Sequence, residues 1–213
     1  MVGELGFLGG LRPPKNPNIT LECVTSNGYN FHAMNQAEEF FISVDVETSG
    51  PNPGQYSLLA IGACTLVQPQ QTFYVEMQPV NTNFQPEAAA IHQLSLESLA
   101  AQGLPAQEAM QRFADWLEEV VPAGARPVFV AFNAPFDWMF VCDYFHRYLG
   151  RNPFGHTAID IKAYFMGKKG SSWAETSMKN LGPYFPAQNP LTHNALQDAL
   201  DQGAIFLALR NQA

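Results

Sequence analysis

An apolar, β-branched run from Phe40 to Val46 carries two carboxylates, Asp45 and Glu47, at its far end and is cut at once by Thr48-Ser49-Gly50-Pro51. Such a run has the composition of a central strand. Side chains two apart on a strand leave the same face, so Asp45 and Glu47 stand together. Two ionised acids side by side on a buried strand repel each other and lose their hydration. Unless a cation or a base neutralises them, that arrangement is destabilising. A divalent metal is the simplest answer, because hard oxygen ligands suit Mg²⁺ or Mn²⁺. Alone, an Asp-x-Glu at a turn is common and identifies nothing.

Two further segments bring the same chemistry. Asp137 follows a hydrophobic strand and the turn Asn133-Ala134-Pro135. Asn133 suits a helix cap and Pro135 a first turn, which puts Asp137 near a helix N-terminus. The helix dipole there favours a carboxylate by about 0.3–1 kcal/mol. In Pro190-Leu191-Thr192-His193-Asn194-Ala195-Leu196-Gln197-Asp198, the histidine and the aspartate are five positions apart. On one helix that is roughly 140° of rotation, so both reach one cleft only if His193 precedes the helix and Asp198 lies on its early turns. The other four histidines read as ordinary surface or core residues.

The rest of the chain supplies a frame for these residues. Residues 1–38 are rich in Gly, Pro and Asn without periodicity and read as a flexible arm; residues 39–213 read as one domain. Met34 lies just before the first strand, and a start there would leave every motif in place, so residues 1–33 are expected to be dispensable. Tyr56–Val67 and Thr72–Met77 read as strands that close an antiparallel meander, since their connections are too short for a crossover helix. Helices are expected over Pro86–Ala101 and Ala106–Val120, a strand over Pro127–Phe132 and a helix over Pro135–Tyr148. A fifth strand, Thr157–Ile161, and a last helix, Asn194–Arg210, complete the order, the helix with Leu196, Ala199, Leu200, Gly203, Phe206 and Leu207 inward. That order is α/β with a mixed sheet.

Composition narrows the setting. With 46% hydrophobic and 14% charged residues the chain is globular, and no stretch of 18 apolar residues offers a membrane span. Three scattered cysteines without a Cys-x-x-Cys pair fit a reducing cytoplasm better than a metal site. A net charge of −8 is unusual for a protein that coats long nucleic acid. Between Phe145 and Lys179, however, six cations face two acids, a local +4 that reads either as a solvated, loop-rich face or as a phosphate-binding rim.

Taken together, Asp-Val-Glu-Thr-Ser-Gly, Asn-Ala-Pro-Phe-Asp and His-Asn-Ala-Leu-Gln-Asp-Ala resemble, in order, the three motifs of the DEDDh family of 3′–5′ exonucleases, over about residues 39–210. The histidine five before the last aspartate separates this group from relatives with a tyrosine four before it. One departure is Ile91-His92-Gln93-Leu94, where many members have a hydrophobic-His-Gly-Ile segment. The resemblance implies a ribonuclease H-like fold, a mixed five-stranded sheet flanked by helices. It implies hydrolysis of the 3′-terminal phosphodiester of single-stranded DNA or RNA, or of short oligonucleotides, releasing nucleoside 5′-monophosphates. Two divalent cations, Mg²⁺ or Mn²⁺, would be held by Asp45, Glu47, Asp137 and Asp198, with His193 as general base and Thr48 and Ser49 beside the terminal sugar. The family includes monomers and dimers, so a homodimer is compatible with it. The same residues also fit a phosphodiesterase for dinucleotides, and a non-catalytic nucleic-acid-binding module of the same fold is the alternative without chemistry.

Overall fold

Strand β1 (Glu39–Thr48) pairs antiparallel with β2 (Leu58–Thr65) on one side and parallel with β4 (Arg126–Ala131) on the other. In this computed structural model, which describes residues 38–86, 94–181 and 194–212, β3 (Thr72–Glu76) and β5 (Ala158–Asp160) complete a five-stranded sheet of order β3-β2-β1-β4-β5. The antiparallel meander and the mixed sheet match the reading of the sequence. The described residues belong to one compact unit, Ala37–Ala213. Residues 1–37, and with them the expected arm except Glu38, lie outside the described residues.

Alternation along β1 splits its side chains between two layers. Ile42, Val44 and Val46 join Ile61 and Ala63 of β2 in a core covered by α2 (Ala106–Val120) and α3 (Ala134–Leu149). Phe113 lies at the centre of that layer, stacked 5.0 Å from Phe73 and 5.5 Å from Phe145. Trp116 packs beside it as a core aromatic. The opposite face carries Phe41, Cys64 and Val130 against α4 (Ile161–Lys169) and α6 (Ala195–Asn211), through Phe165, Ile205, Phe206 and Leu209. Ser43, Asp45 and Glu47 belong by alternation to this second face, and α6 crosses it.

Several boundaries differ from the sequence reading. The described part of the expected helix 86–101 is broken at Leu94-Ser95, and Ser95 caps α1 (Leu96–Gln102) by accepting from the Ser98 amide. The fifth strand ends at Asp160, whose carboxylate caps α4 through the Lys162 and Ala163 amides. The segment 145–179 is therefore not loop-rich: α4, a 3-10 turn (Trp173–Thr176) and a short α5 (Met178–Leu181) occupy its second half. The signal was present in an Asp cap, Lys168-Lys169 in the last turn and Gly170 at the end. On α6 the buried residues are Ala195, Asp198, Ala199, Gln202, Gly203, Ile205, Phe206 and Leu209; Ala199, Gly203 and Phe206 are inward as expected, whereas Leu196, Leu200 and Leu207 are only half-buried.

Glycine lets α6 approach this closely. Gly62 is directly opposite Asp45 in the β1–β2 ladder, and a Cβ there would lie 2.1 Å from the Ala195 carbonyl carbon. Gly203 meets Leu66 and Ser43 in the same way, at 2.7 and 3.1 Å. The Gly62→Ala change must push back the helix start that carries Asp198, at a cost of about 1–3 kcal/mol. Urea unfolding should show that loss, whereas Gly167→Ala, in open space within α4, should raise stability by about 0.5–1 kcal/mol. Equal effects at the two positions would reject the close-approach account.

Candidate active site

The parallel ladder between β1 and β4 stops at the Ser43–Val130 pair, but β1 runs on to Thr48. Beyond that point the strands part, and the backbone groups of β1 on that side need partners. Side chains supply them. Gln202 donates from Nε2 to the Val44 carbonyl at 2.9 Å and accepts the Phe132 amide on Oε1, closing the gap as a substitute rung. Asp137 accepts the Val46 amide at 3.1 Å. The opening lies at the carboxyl ends of parallel strands, where open α/β sheets place their ligands.

This cleft has a volume of about 190 Å³. Asp45, Glu47, Asp137 and Asp198 line it together with Phe132, Phe136, Met178 and Gln202. Carboxylate oxygens of Asp45, Glu47 and Asp198 all lie within 4.8 Å of one another. Asp198 sits on the first turn of α6, whose N-cap Asn194 accepts from the Gln197 amide. Asp137 is indeed on the first turn of its helix, but Asn133 does not cap it through its side chain. Asn133 adopts a left-handed φ of 65° with its carbonyl accepting the Phe136 amide.

The other expected site residues fall as follows. The Thr48 hydroxyl donates to the Gly50 carbonyl, and the Ser49 hydroxyl accepts the Ser57 amide at 2.8 Å; both residues are buried and outside the wall of the cleft. His193, and the departure at Ile91-His92-Gln93, lie outside the described residues. Phe136 forms part of the cleft wall, whereas Trp138 packs edge-on against Phe129 at 5.3 Å. Gln202 was missed, though it is one helical turn beyond Asp198 and the lone polar residue in the stripe that follows it.

The family model for exonucleases of the ribonuclease T type matches residues 42–206, a span that holds all four acids and His193. The chain belongs to this exonuclease family. It is similar to the 3′–5′ DNA exonuclease Cap18 of Escherichia coli, 43% identical over 173 residues, which are 81% of this chain and 92% of that protein. Its fold matches the nuclease domain of 3′hExo, a DEDDh family member solved with rAMP, with a TM-score of 0.64 at 13% identity, covering 80% of this chain and 90% of that one. It also matches E. coli exonuclease I in complex with single-stranded DNA, with a TM-score of 0.60 at 18% identity over 81% of this chain, although it spans only 40% of that longer protein. The ribonuclease H-like fold and a metal-dependent 3′–5′ exonuclease activity on nucleic acid are thereby those of this chain.

Electrostatics explain why this exonuclease needs a metal. Burial, and then Asp137, Glu47 and Asp198 around it, push the Asp45 carboxyl far above the usual carboxylate range. Burial, with Asp198 adding to it, lifts Glu47 to about 7. Asp137 is lifted to about 8, since burial outweighs the amides that bond its carboxylate. None of the ion pairs among the described residues involves Asp45, Glu47 or Asp137. Clustered carboxylate oxygens facing one cleft are the hard donor set that a divalent cation takes. The residues present therefore fit such ions.

Proposed function

We propose that the exonuclease removes nucleotides one at a time from the 3′ end of single-stranded DNA and releases nucleoside 5′-monophosphates. The convergence of Asp45, Glu47 and Asp198 within 4.8 Å, with Asp137 in the same cleft, carries the reading. Preference for DNA rests on the 43% identity to a 3′–5′ DNA exonuclease. The complex of exonuclease I with single-stranded DNA and the rAMP bound to 3′hExo support the strand and the product. The terminal nucleotide must leave any duplex before its phosphodiester can reach the acids that line this cleft.

Two cations, Mg²⁺ or Mn²⁺, would supply charge neutralisation at the scissile phosphate and the leaving oxygen. Asp45, surrounded by the other three acids, would hold them together with Glu47, Asp137 and Asp198. Gln202 keeps the strand of Asp45 and the helix of Asp198 in register. His193 takes the proton from the attacking water as its oxygen bonds to phosphorus and the 3′-oxygen of the preceding nucleotide leaves. A general base of this kind is worth on the order of 10²–10⁴-fold, the loss expected for His193→Ala.

The test uses strands labelled at either end, as single-stranded DNA, RNA, blunt duplex and dinucleotides, with Mg²⁺ or Mn²⁺. A 5′ label should give a descending ladder and a 3′ label only mononucleotide, fastest on single-stranded DNA. An internal cut, a faster reaction on RNA, or activity confined to dinucleotides overturns the proposal.

A further inference from the structure

The cleft wall at Phe132 continues outward into an aromatic and basic strip. Lys162, on the first turn of α4, holds its ammonium 5.9 Å from the Phe132 ring centre and 4.2 Å from that of Trp173. Trp173 is 52% exposed, a large apolar surface to leave in water. Its turn is nonetheless well fastened. The Ser172 amide and hydroxyl both donate to the Glu175 carboxylate at 2.7 Å, and the Thr176 hydroxyl donates to the Trp173 carbonyl at 2.8 Å. Asn180 adds a bond to the Ala174 carbonyl, and Met178 between them lines the cleft itself. An exposed indole on a braced turn is a platform for stacking that loses little freedom when a base settles on it.

Lys162 is held differently from the other cations of this segment, of which Lys169 and Lys179 line a separate hollow with Gly170 and Ser171. Arg147 pairs with Asp143, Arg151 with Glu118, and Lys168 donates to the carbonyls of Arg210 and Gln212. Lys162 instead faces two rings, which hold an ammonium in place without cancelling its charge. We propose that Trp173 and Lys162 form a subsite for the strand upstream of the terminal nucleotide. A base stacks on the indole, and the ammonium takes a phosphate between that base and the cleft. This subsite rests on the exonuclease reading above and adds to it a reason for preferring a strand to a dinucleotide. A cation–π pair that merely braces α4 against the turn would give no dependence on strand length.

Steady-state hydrolysis of a single-stranded decamer and a dinucleotide with the same 3′ end tests the subsite. In Trp173→Ala the ratio of kcat/KM for decamer over dinucleotide should fall about tenfold, through KM for the decamer, and Trp173→Phe should keep most of it. Lys162→Gln should lessen the slope of log affinity against log salt for the decamer by about 0.7, the share of one phosphate on a single strand. A wild-type ratio in Trp173→Ala, or a wild-type salt slope in Lys162→Gln, overturns the subsite. Quenching of tryptophan fluorescence on titration with dT10 needs no hydrolysis and separates the two claims. Should the protein prove inactive on DNA while its quench vanishes in Trp173→Phe, the exonuclease reading falls and the subsite stands. Should it be active with the quench unaltered in Trp173→Phe, the subsite falls alone.

Discussion

Replacing Asp45 by Asn should abolish nuclease activity and, in the absence of metal, make the protein harder to unfold. The two effects have one cause. Asp45 is the acid on which burial and three other carboxylates converge. As one of the acids that would hold the cations it supports charge stabilisation worth several kcal/mol, so its loss should slow hydrolysis at least about 10³-fold. Asn keeps the shape but carries no charge to desolvate or repel. In EDTA at pH 8 the variant should therefore unfold at a higher urea concentration than wild type, because burial and the three neighbouring acids no longer act on a charge there. Surviving activity would reject the site; a variant less stable than wild type in EDTA would reject the repulsion argument.

The second large effect is on the stability of the metal-free protein as pH rises. Glu47 is raised from 4.5 to about 7 and Asp137 from 3.8 to about 8 by burial and neighbouring acids. Between the ordinary and the raised values the folded protein holds protons that the unfolded chain has released. Stability is then full below about pH 4 and falls as pH climbs through 7 and 8. For Glu47 alone the loss amounts to roughly 3 kcal/mol. Excess Mg²⁺ or Mn²⁺ at pH 8 should restore it, by about 2.7 kcal/mol at a hundredfold excess over Kd. At pH 5 the same addition should do much less, because protons then compete for the ligands. Urea unfolding at several pH values, with EDTA or with metal, reads both effects. A flat profile in EDTA would contradict the raised carboxyls.

Much of the frame was legible in local patterns. Alternation in Phe40–Glu47 separated apolar from acidic positions and correctly put both carboxylates on one face. The order of strands and helices, with short links between the first three strands, was enough for a mixed α/β sheet. Misreadings came where a local signal had two outcomes. Asn133 is a good capping residue, yet it uses its backbone in a left-handed conformation and leaves its side chain out of the cap. The cation-rich segment 145–179 could be read as a solvated, loop-rich face because its charge draws attention away from the helix signals within it, the Asp160 cap and the Gly170 stop.

By itself the sequence determined the chemical inventory: four acids and a histidine in three segments, each beside a turn that ends or begins an element. Periodicity and capping act over a few residues, and those forces can be read from the chain directly. Only the tertiary structure decided which acids meet. Asp45 and Asp198 are brought together because Gly62 admits the start of α6, and because the Gln202 amide fills the gap where β1 and β4 part. The contact joins residues more than a hundred and fifty positions apart, and it is set by packing depth and unpaired backbone groups that no local pattern encodes.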